Sequence, residues 1–434
     1  MVTKDLDAND VEGVRALILG RQAQNACVAL TRVAFLDEEG ARRLANRALK
    51  ARPHLWSSAL DVAITQGGPF APALEELIAS GADLPLAEIA DAIPVEHGAL
   101  RGVALAATKR LADSAEHSPE QRAYWANALA NRLSAVGDRE GALEAAQEAV
   151  GLYRALAEES PAAHTPDLAG SLNNLANRLS AVGDREGALE AAQEAVRLRW
   201  ALTDTSPAAY TSDLAGSLIS FAISLSEAGE LREALEATQQ AVGLYRALAE
   251  ESPEVYRPDL AGSLISLAIR LSAVGASDEA LEVAREAVGL YRALAEESPE
   301  VYRPDLAGSL ISLAIRLSAV GASGEALEVA REAVGLYRAL AGASPAVYTP
   351  DLAASLRTLA ALLSETGWQE EALEVAREAV GLYRALAGAS PAVYTPDLAA
   401  SLRTLAALLS ETGWQEEALE VAREAVGLYR ALAG

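Results

Sequence analysis

A unit of 46 residues recurs down most of this 434-residue chain, and it constrains the fold more than any other feature. Ser298–Ala343 shows the unit cleanly. An aspartate in each copy stands at Asp167, Asp213, Asp259, Asp305, Asp351 and Asp397, and a degenerate earlier copy carries Gln121 in that place. Residues 252–295 and 298–341 differ only at Asp278 versus Gly324, and residues 344–388 are identical to 390–434. A fixed period of this length, in a composition rich in Ala, Leu and Glu, predicts a stack of helical units. One unit cannot bury its apolar face alone, whereas a stack buries a continuous one.

The grammar of one copy predicts two helices. The first, helix A, is expected over Asp167–Val182, with Thr165 as cap, Pro166 in the first turn and Asp167 where the helix dipole favours negative charge. Gly183 ends it. Asp184 or a nearby polar residue opens helix B, which runs to about Asp204, and Ser206-Pro207 stops it. Ala188, Leu189, Ala192, Ala195 and Val196 form the stripe that faces helix A. Residues 1–117 fall outside the period. They predict short helices over 8–19, 21–34, 37–51, 54–66, 70–79, 86–93 and 98–116, broken at Gly20, Pro53, Gly67-Gly68, Gly81 and Pro94. The domain division expected is therefore 1–117, a helical cap or a docking module, and 118–434, the repeat array.

The positions that Leu172, Leu175, Ala176, Leu179, Gly183, Ala188, Ala192 and Ala195 occupy keep their spacing in all seven copies, and with them the unit resembles a tetratricopeptide repeat. The small residues Ala176 and Ala195 let the two helices approach closely. The resemblance implies an all-α, right-handed superhelical solenoid of antiparallel hairpins. It has about seven repeats, starting near 121, 167, 213, 259, 305, 351 and 397. A longer helix B and a longer SPxxYxPD connection depart from the minimal unit and are similar to kinesin-light-chain-type repeats and to arrays in bacterial signalling proteins. The usual aromatic of helix A is replaced by Leu or, in the first copy, Ala126.

Composition excludes several functions. Net charge is −25 with a pI of about 4.6, so phosphate backbones and anionic membrane surfaces are repelled. The three lysines, Lys4, Lys50 and Lys109, follow Thr, Leu and Thr, which removes any Gly-Lys-Ser/Thr phosphate loop. His54, His97, His117, His164 and the single Cys27 lack metal-ligand spacing, and no G-x-S-x-G elbow occurs. No catalytic residue, metal or cofactor is expected, and the chain reads as non-enzymatic. A lone Cys, no leader-like apolar segment and no apolar run of membrane length place it in the cytoplasm. The excess of Arg over Lys points to the coding bias of some bacteria. Tyr210, Tyr256, Tyr302, Tyr348 and Tyr394, with His164 in the same slot, read as wedges between copies. Glu282 and Glu286 read as a solvated outer face.

In tetratricopeptide arrays helix A lines the concave groove, where partners bind. By that resemblance the groove positions are Asn127 and Asn131, Asn173 and Asn177, Ile219 and Ile223, Ile265 and Ile269, Ile311 and Ile315, Arg357 with Ala361, and Arg403 with Ala407. Arg270 and Arg316 lie beside the isoleucines. An amide end, an isoleucine middle and an arginine end suit a protein or peptide with an apolar segment and an acidic end. A scaffold or adaptor is the function expected. The alternative is the sensor arm of a bacterial signalling or defence system with a separately encoded effector. The last hairpin, which no cap helix follows, is a candidate surface for self-association.

Overall fold

The computed structural model describes residues 27, 38–66, 68–93, 100–114 and 117–433. Among these residues it holds nineteen α-helices, one short 3-10 turn and no strand. The chain divides into two compact units, residues 1–160 and 161–434.

In the first unit, α1 (Glu38–Ala51), α2 (Trp56–Gln66), α3 (Phe70–Ala79), α4 (Leu86–Ala92) and α5 (Arg101–Ala112) stand where the breaks placed them, to within a few residues. The helices expected over 8–19 and 21–34 lie outside the described residues, save Cys27, which is helical and buried. Burial pushes the Cys27 thiol up to about 11, so it is an inert packing group. Phe70, Leu74, Ile78, Ile89 and Leu100 form the core with Trp125, which comes from the first repeat hairpin, α6 (Pro119–Ala135) and α7 (Arg139–Glu159). Ser118 and Gln121 open α6 with reciprocal cap bonds, Ser118 Oγ accepting from Gln121 N at 3.3 Å and Gln121 Oε1 from Ser118 N at 3.0 Å.

The second unit is six hairpins. Their A and B helices are α8 (Pro161–Ala181) and α9 (Arg185–Thr205), α10 (Pro207–Ala228) and α11 (Leu231–Glu251), α12 (Pro253–Ala273) and α13 (Ser277–Glu297), α14 (Pro299–Ala319) and α15 (Ser323–Ala343), α16 (Pro345–Glu365) and α17 (Gln369–Ala389), and α18 (Pro391–Glu411) and α19 (Gln415–Ala433). Each helix packs on the next in sequence, and consecutive A helices also touch directly. Gly183, with φ +87°, turns A into B where expected, and Asp184 caps the B helix by accepting from Gly187 N at 2.9 Å. Ala176, Ala188, Ala192 and Ala195 are buried to within 1%, which is the close approach that the small residues permit.

The start of helix A differs from expectation. It lies at Pro161, six residues before Asp167, so Thr165 is no cap and Pro166 sits inside the helix. The SPxxYxPD segment is therefore helical, and a single residue, Ser160 in the first instance, separates B from A. Ser followed by Pro suffices for this turn, because proline at the first helical position needs no hydrogen-bond partner. Pro166 costs only the bond to the carbonyl of Ala162, which is exposed and open to water. The recurring tyrosines accordingly lie on the first turn of helix A, where Tyr256, Tyr302 and Tyr394 pack against the core. His164 in that slot faces Asp167 at 3.8 Å.

The B helices are tied by two rows of ion pairs that run from one copy to the next. Arg285 reaches Glu325 at 3.0 Å, Arg331 reaches Glu371 at 2.8 Å and Arg377 reaches Glu417 at 3.0 Å. In the second row Arg246, Arg292 and Arg338 each meet Glu286, Glu332 and Glu378 at 2.7 Å, and Arg384 meets Glu424 at 2.6 Å. Glu286 is thus a rung of this ladder. In the last copy Leu419, Val426 and Tyr429 are exposed, whereas their counterparts Leu373, Val380 and Tyr383 are buried.

Candidate functional site

Within residues 161–434 the A helices bring the expected groove positions into three parallel columns. The first holds Asn173, Ile219, Ile265, Ile311, Arg357 and Arg403. Its isoleucines are half-buried and pack against the core. Asn173 donates from Nδ2 to Ser217 Oγ at 2.7 Å, so it ties one A helix to the next. Arg357 is half-buried and Arg403 exposed.

The second column lies one turn further along. Asn177 is exposed, and Ile223, Ile269 and Ile315 are 38%, 41% and 45% exposed. The solvent-facing apolar stripe is thus these three isoleucines, and the other three are packing residues.

The third column, one residue on again, is Arg178, Ser224, Arg270, Arg316, Leu362 and Leu408. Arg316 is 7% exposed, and one Nη donates a long bond to Ser312 O, 3.4 Å. Nε of Arg270, Arg316 and Arg357 is buried without an acceptor. Burial holds the Arg178, Arg270 and Arg316 guanidinium groups below the usual arginine range; Glu227 partly offsets this at Arg270. Arg270 and Arg316 therefore place positive charge one residue after the exposed Ile269 and Ile315, whereas Ser224 follows Ile223. The nearby carboxylates Glu227, Glu365 and Glu411 accept hydrogen bonds from Ser180, Ser318 and Ser364 of the preceding A helix.

Asn127 and Asn131 belong to the first unit, on α6, where both are half-buried. In that copy the counterpart of the arginine column is Arg132, which sequence reading passed over. Its Nη2 donates to Ala90 O at 2.9 Å and to Ile93 O, the carbonyls at the end of α4. Its signal was the 46-residue offset to Arg178. Also missed was a hollow on the outer face beside Trp200, detectable in sequence because Trp200 stands where the other six copies carry Arg. Among the described residues no group of three or more His, Cys, Asp or Glu is placed to hold a metal ion. No helix among them is long and apolar enough to cross a membrane.

A family model described as tetratricopeptide repeat matches residues 122–162, 168–199 and 352–392. A search of curated proteins finds no match. Among solved structures, BtubC (BKLC) from P. vanneervenii is similar at 18% identity, covering 58% of this chain and 92% of that one, with a TM-score of 0.47. A putative kinesin light chain from Podosopora anserina with nearly identical TPR-like repeats is 22% identical, covering 51% and 97%, with a TM-score of 0.39. Aspartyl phosphate phosphatase F from Bacillus subtilis is 15% identical, covering 98% and 94%, with a TM-score of 0.48. Residues 122–162, 168–199 and 352–392 thus match tetratricopeptide repeats, and they lie in all-helical hairpins that keep one 46-residue register.

Proposed function

We propose that the chain is a non-enzymatic scaffold whose A-helix face binds a protein partner through an apolar segment that ends in an oxygen-rich, acidic group. Residues 118–434 supply the array, and residues 1–117 cap it. One observation carries this reading: the exposed Ile269 and Ile315 are each followed on their helix by an arginine, Arg270 and Arg316, whose Nε has no hydrogen-bond partner. Covering three such isoleucines contributes about 2–4 kcal/mol, less than the cost of association. The arginines are therefore needed, and charge-assisted bonds of about 1.5–3 kcal/mol each close the gap. Arg132, which grips two carbonyl oxygens at a helix end, is an example within the chain of what this column binds.

Selection of displayed peptides on the full chain tests the reading. The sequences recovered should pair an apolar run with a terminal carboxylate or adjacent acidic residues. They should bind at least tenfold more weakly to a variant carrying Ile223→Asp, Ile269→Asp and Ile315→Asp, whose exposed positions leave the fold intact by circular dichroism. Arg270→Gln with Arg316→Gln should remove the acidic preference while keeping the apolar one. Peptides that bind the folded isoleucine variant unchanged would sink the proposal.

A further inference from the structure

We propose a docking platform for a proline-rich, basic segment of a partner protein, on the edge formed by the A–B turns of hairpins α16–α17 and α18–α19. Trp368 and Trp414 occupy these turns and are 58% and 59% exposed. Trp368 keeps that exposure although a further hairpin follows its own. The other copies provide an internal reference. At this position they carry Asp138, Asp184, Glu230, Ala276 and Ala322. The turn at Ala276, with φ −83° and ψ +64°, is nearly that at Trp368, with φ −83° and ψ +59°. Neither the turn nor the packing therefore requires an indole here.

The backbone under both rings is fixed. Trp368 N donates to Leu363 O and Trp414 N to Leu409 O, each at 2.9 Å. Gln369 Nε2 and Gln415 Nε2 brace the turns by donating to Ser364 O at 3.4 Å and Ser410 O at 3.1 Å. Between the copies Ser364 Oγ donates to a carboxylate oxygen of Glu411 at 2.9 Å, four residues before one tryptophan and three before the other. Helices α16 and α18 touch directly, and packed helices lie about 8–10 Å apart. The two turns thus repeat at about one helix spacing. A polyproline II helix completes a turn in three residues, about 9 Å, so prolines three apart meet successive indoles.

The chemistry of the platform sets the rest of the partner. Indole faces carry negative potential and take the apolar edge of a proline ring. Among the described residues neither indole N–H has an acceptor, and a polyproline II backbone offers carbonyls that no internal bond occupies. Such a segment is already ordered, which suits an open edge with few contacts. Glu365, Glu370, Glu411 and Glu416 flank the turns, and no cation among the described residues pairs with them. Glu371 and Glu417 beside them are matched by Arg331 and Arg377. Basic residues on either side of the prolines satisfy the unmatched carboxylates, whereas an acidic segment or an anionic bilayer is repelled.

Fluorine NMR of the full chain labelled with 5-fluorotryptophan tests the platform, the two resonances being assigned by their loss in Trp368→Ala and Trp414→Ala. Both variants should fold, because Ala276 and Ala322 make the same turn. A peptide of nine prolines between two arginines should shift both resonances saturably. Its counterpart with glycine for proline should bind about tenfold more weakly, as should the same prolines between two glutamates. Either alanine variant should lose about tenfold in affinity by calorimetry. Glu370→Gln with Glu416→Gln should weaken the arginine-flanked peptide severalfold. Ala322→Trp, which adds a ring one copy earlier, should tighten binding of a peptide longer by two turns. The proposal is overturned if no saturable shift occurs, if the glycine peptide binds as well as the proline one, or if Ala322→Trp leaves affinity unchanged. Shifts that follow protein concentration alone, or phosphatidylcholine vesicles, would mark a second copy or a membrane as the occupant and overturn it as well.

Discussion

At the scale of the residue, the departures from the repeat are the most informative positions. Helix B buries a tyrosine in most copies, but Arg199 stands there once, 8% exposed and paired with Asp213 at 2.7 Å. Removing the partner strands a largely buried cation, although Asp213 is itself half-exposed. Asp213→Asn is thus expected to cost about 1–3 kcal/mol in chemical denaturation. The same change at Asp305 should stabilise the protein at neutral pH, because burial raises that carboxyl and no cation compensates it. A raised folded pKa means that the stability linked to Asp305 is complete below the ordinary value of 3.8 and is lost as pH rises through the folded one. The advantage of Asp305→Asn should therefore shrink on acidification. The buried tyrosines follow the same sign at the other end of the scale. Burial pushes Tyr245 and Tyr383 up to about 12 and raises Tyr291 and Tyr337 too, with the neighbouring aspartates adding to the effect. Their contribution holds below pH 10, the ordinary phenol value, and falls between there and about 12. Thermal melts across that window should show falling midpoints, and Tyr245→Phe should flatten the decline.

At the scale of the element, two features of helix B are open to test. Gly289 lies in a helix interior where an added methyl meets nothing within 4 Å. Gly289→Ala is expected to stabilise by about 0.5–1 kcal/mol, read as a rise in the unfolding midpoint, because alanine loses less backbone entropy and favours helix. The ladder, by contrast, contributes little per rung. Arg292 and Glu332 are about half-exposed, and such pairs are worth roughly 0.2–1 kcal/mol. A double-mutant cycle with Arg292→Gln and Glu332→Gln should return a coupling in that range that weakens as salt is added. A coupling above about 2 kcal/mol would mean that the rungs are shielded from solvent.

At the scale of the whole molecule, stability is a sum over copies and the contacts between neighbours. Deleting residues 298–343 joins two copies at the same point of the period, so the remaining interfaces are those already present. That variant should fold, with full helicity per residue and a modestly lower melting temperature. Deleting 23 residues instead joins an A helix to a position meant for B and should give an aggregating or molten chain. Circular dichroism and size-exclusion chromatography separate the outcomes, and equal folding of both would deny the pairing of alternate helices.

The sequence by itself determined the two-helix unit, its register and its turns. Alanine spacing and the glycine at left-handed φ are local requirements, and a local requirement repeated seven times leaves little ambiguity; the aspartate cap is confined to Asp138 and Asp184. It misjudged the start of helix A because proline was read as a boundary, whereas Pro166 is accommodated inside a helix whose neighbours supply the packing. The site was legible only in part. The isoleucine pairs stood out, but the spacing treats Ile265 and Ile269 alike, while the structure packs one and exposes the other. Which side of a helix faces solvent depends on the angle at which the next copy docks. That angle is set jointly by residues some 40 to 47 positions apart, such as Arg285 with Glu325 or Ser318 with Glu365. The period is a property of one unit, whereas exposure, the ladder and the gap beside Trp200 are properties of two units in contact, and only the tertiary structure decided them.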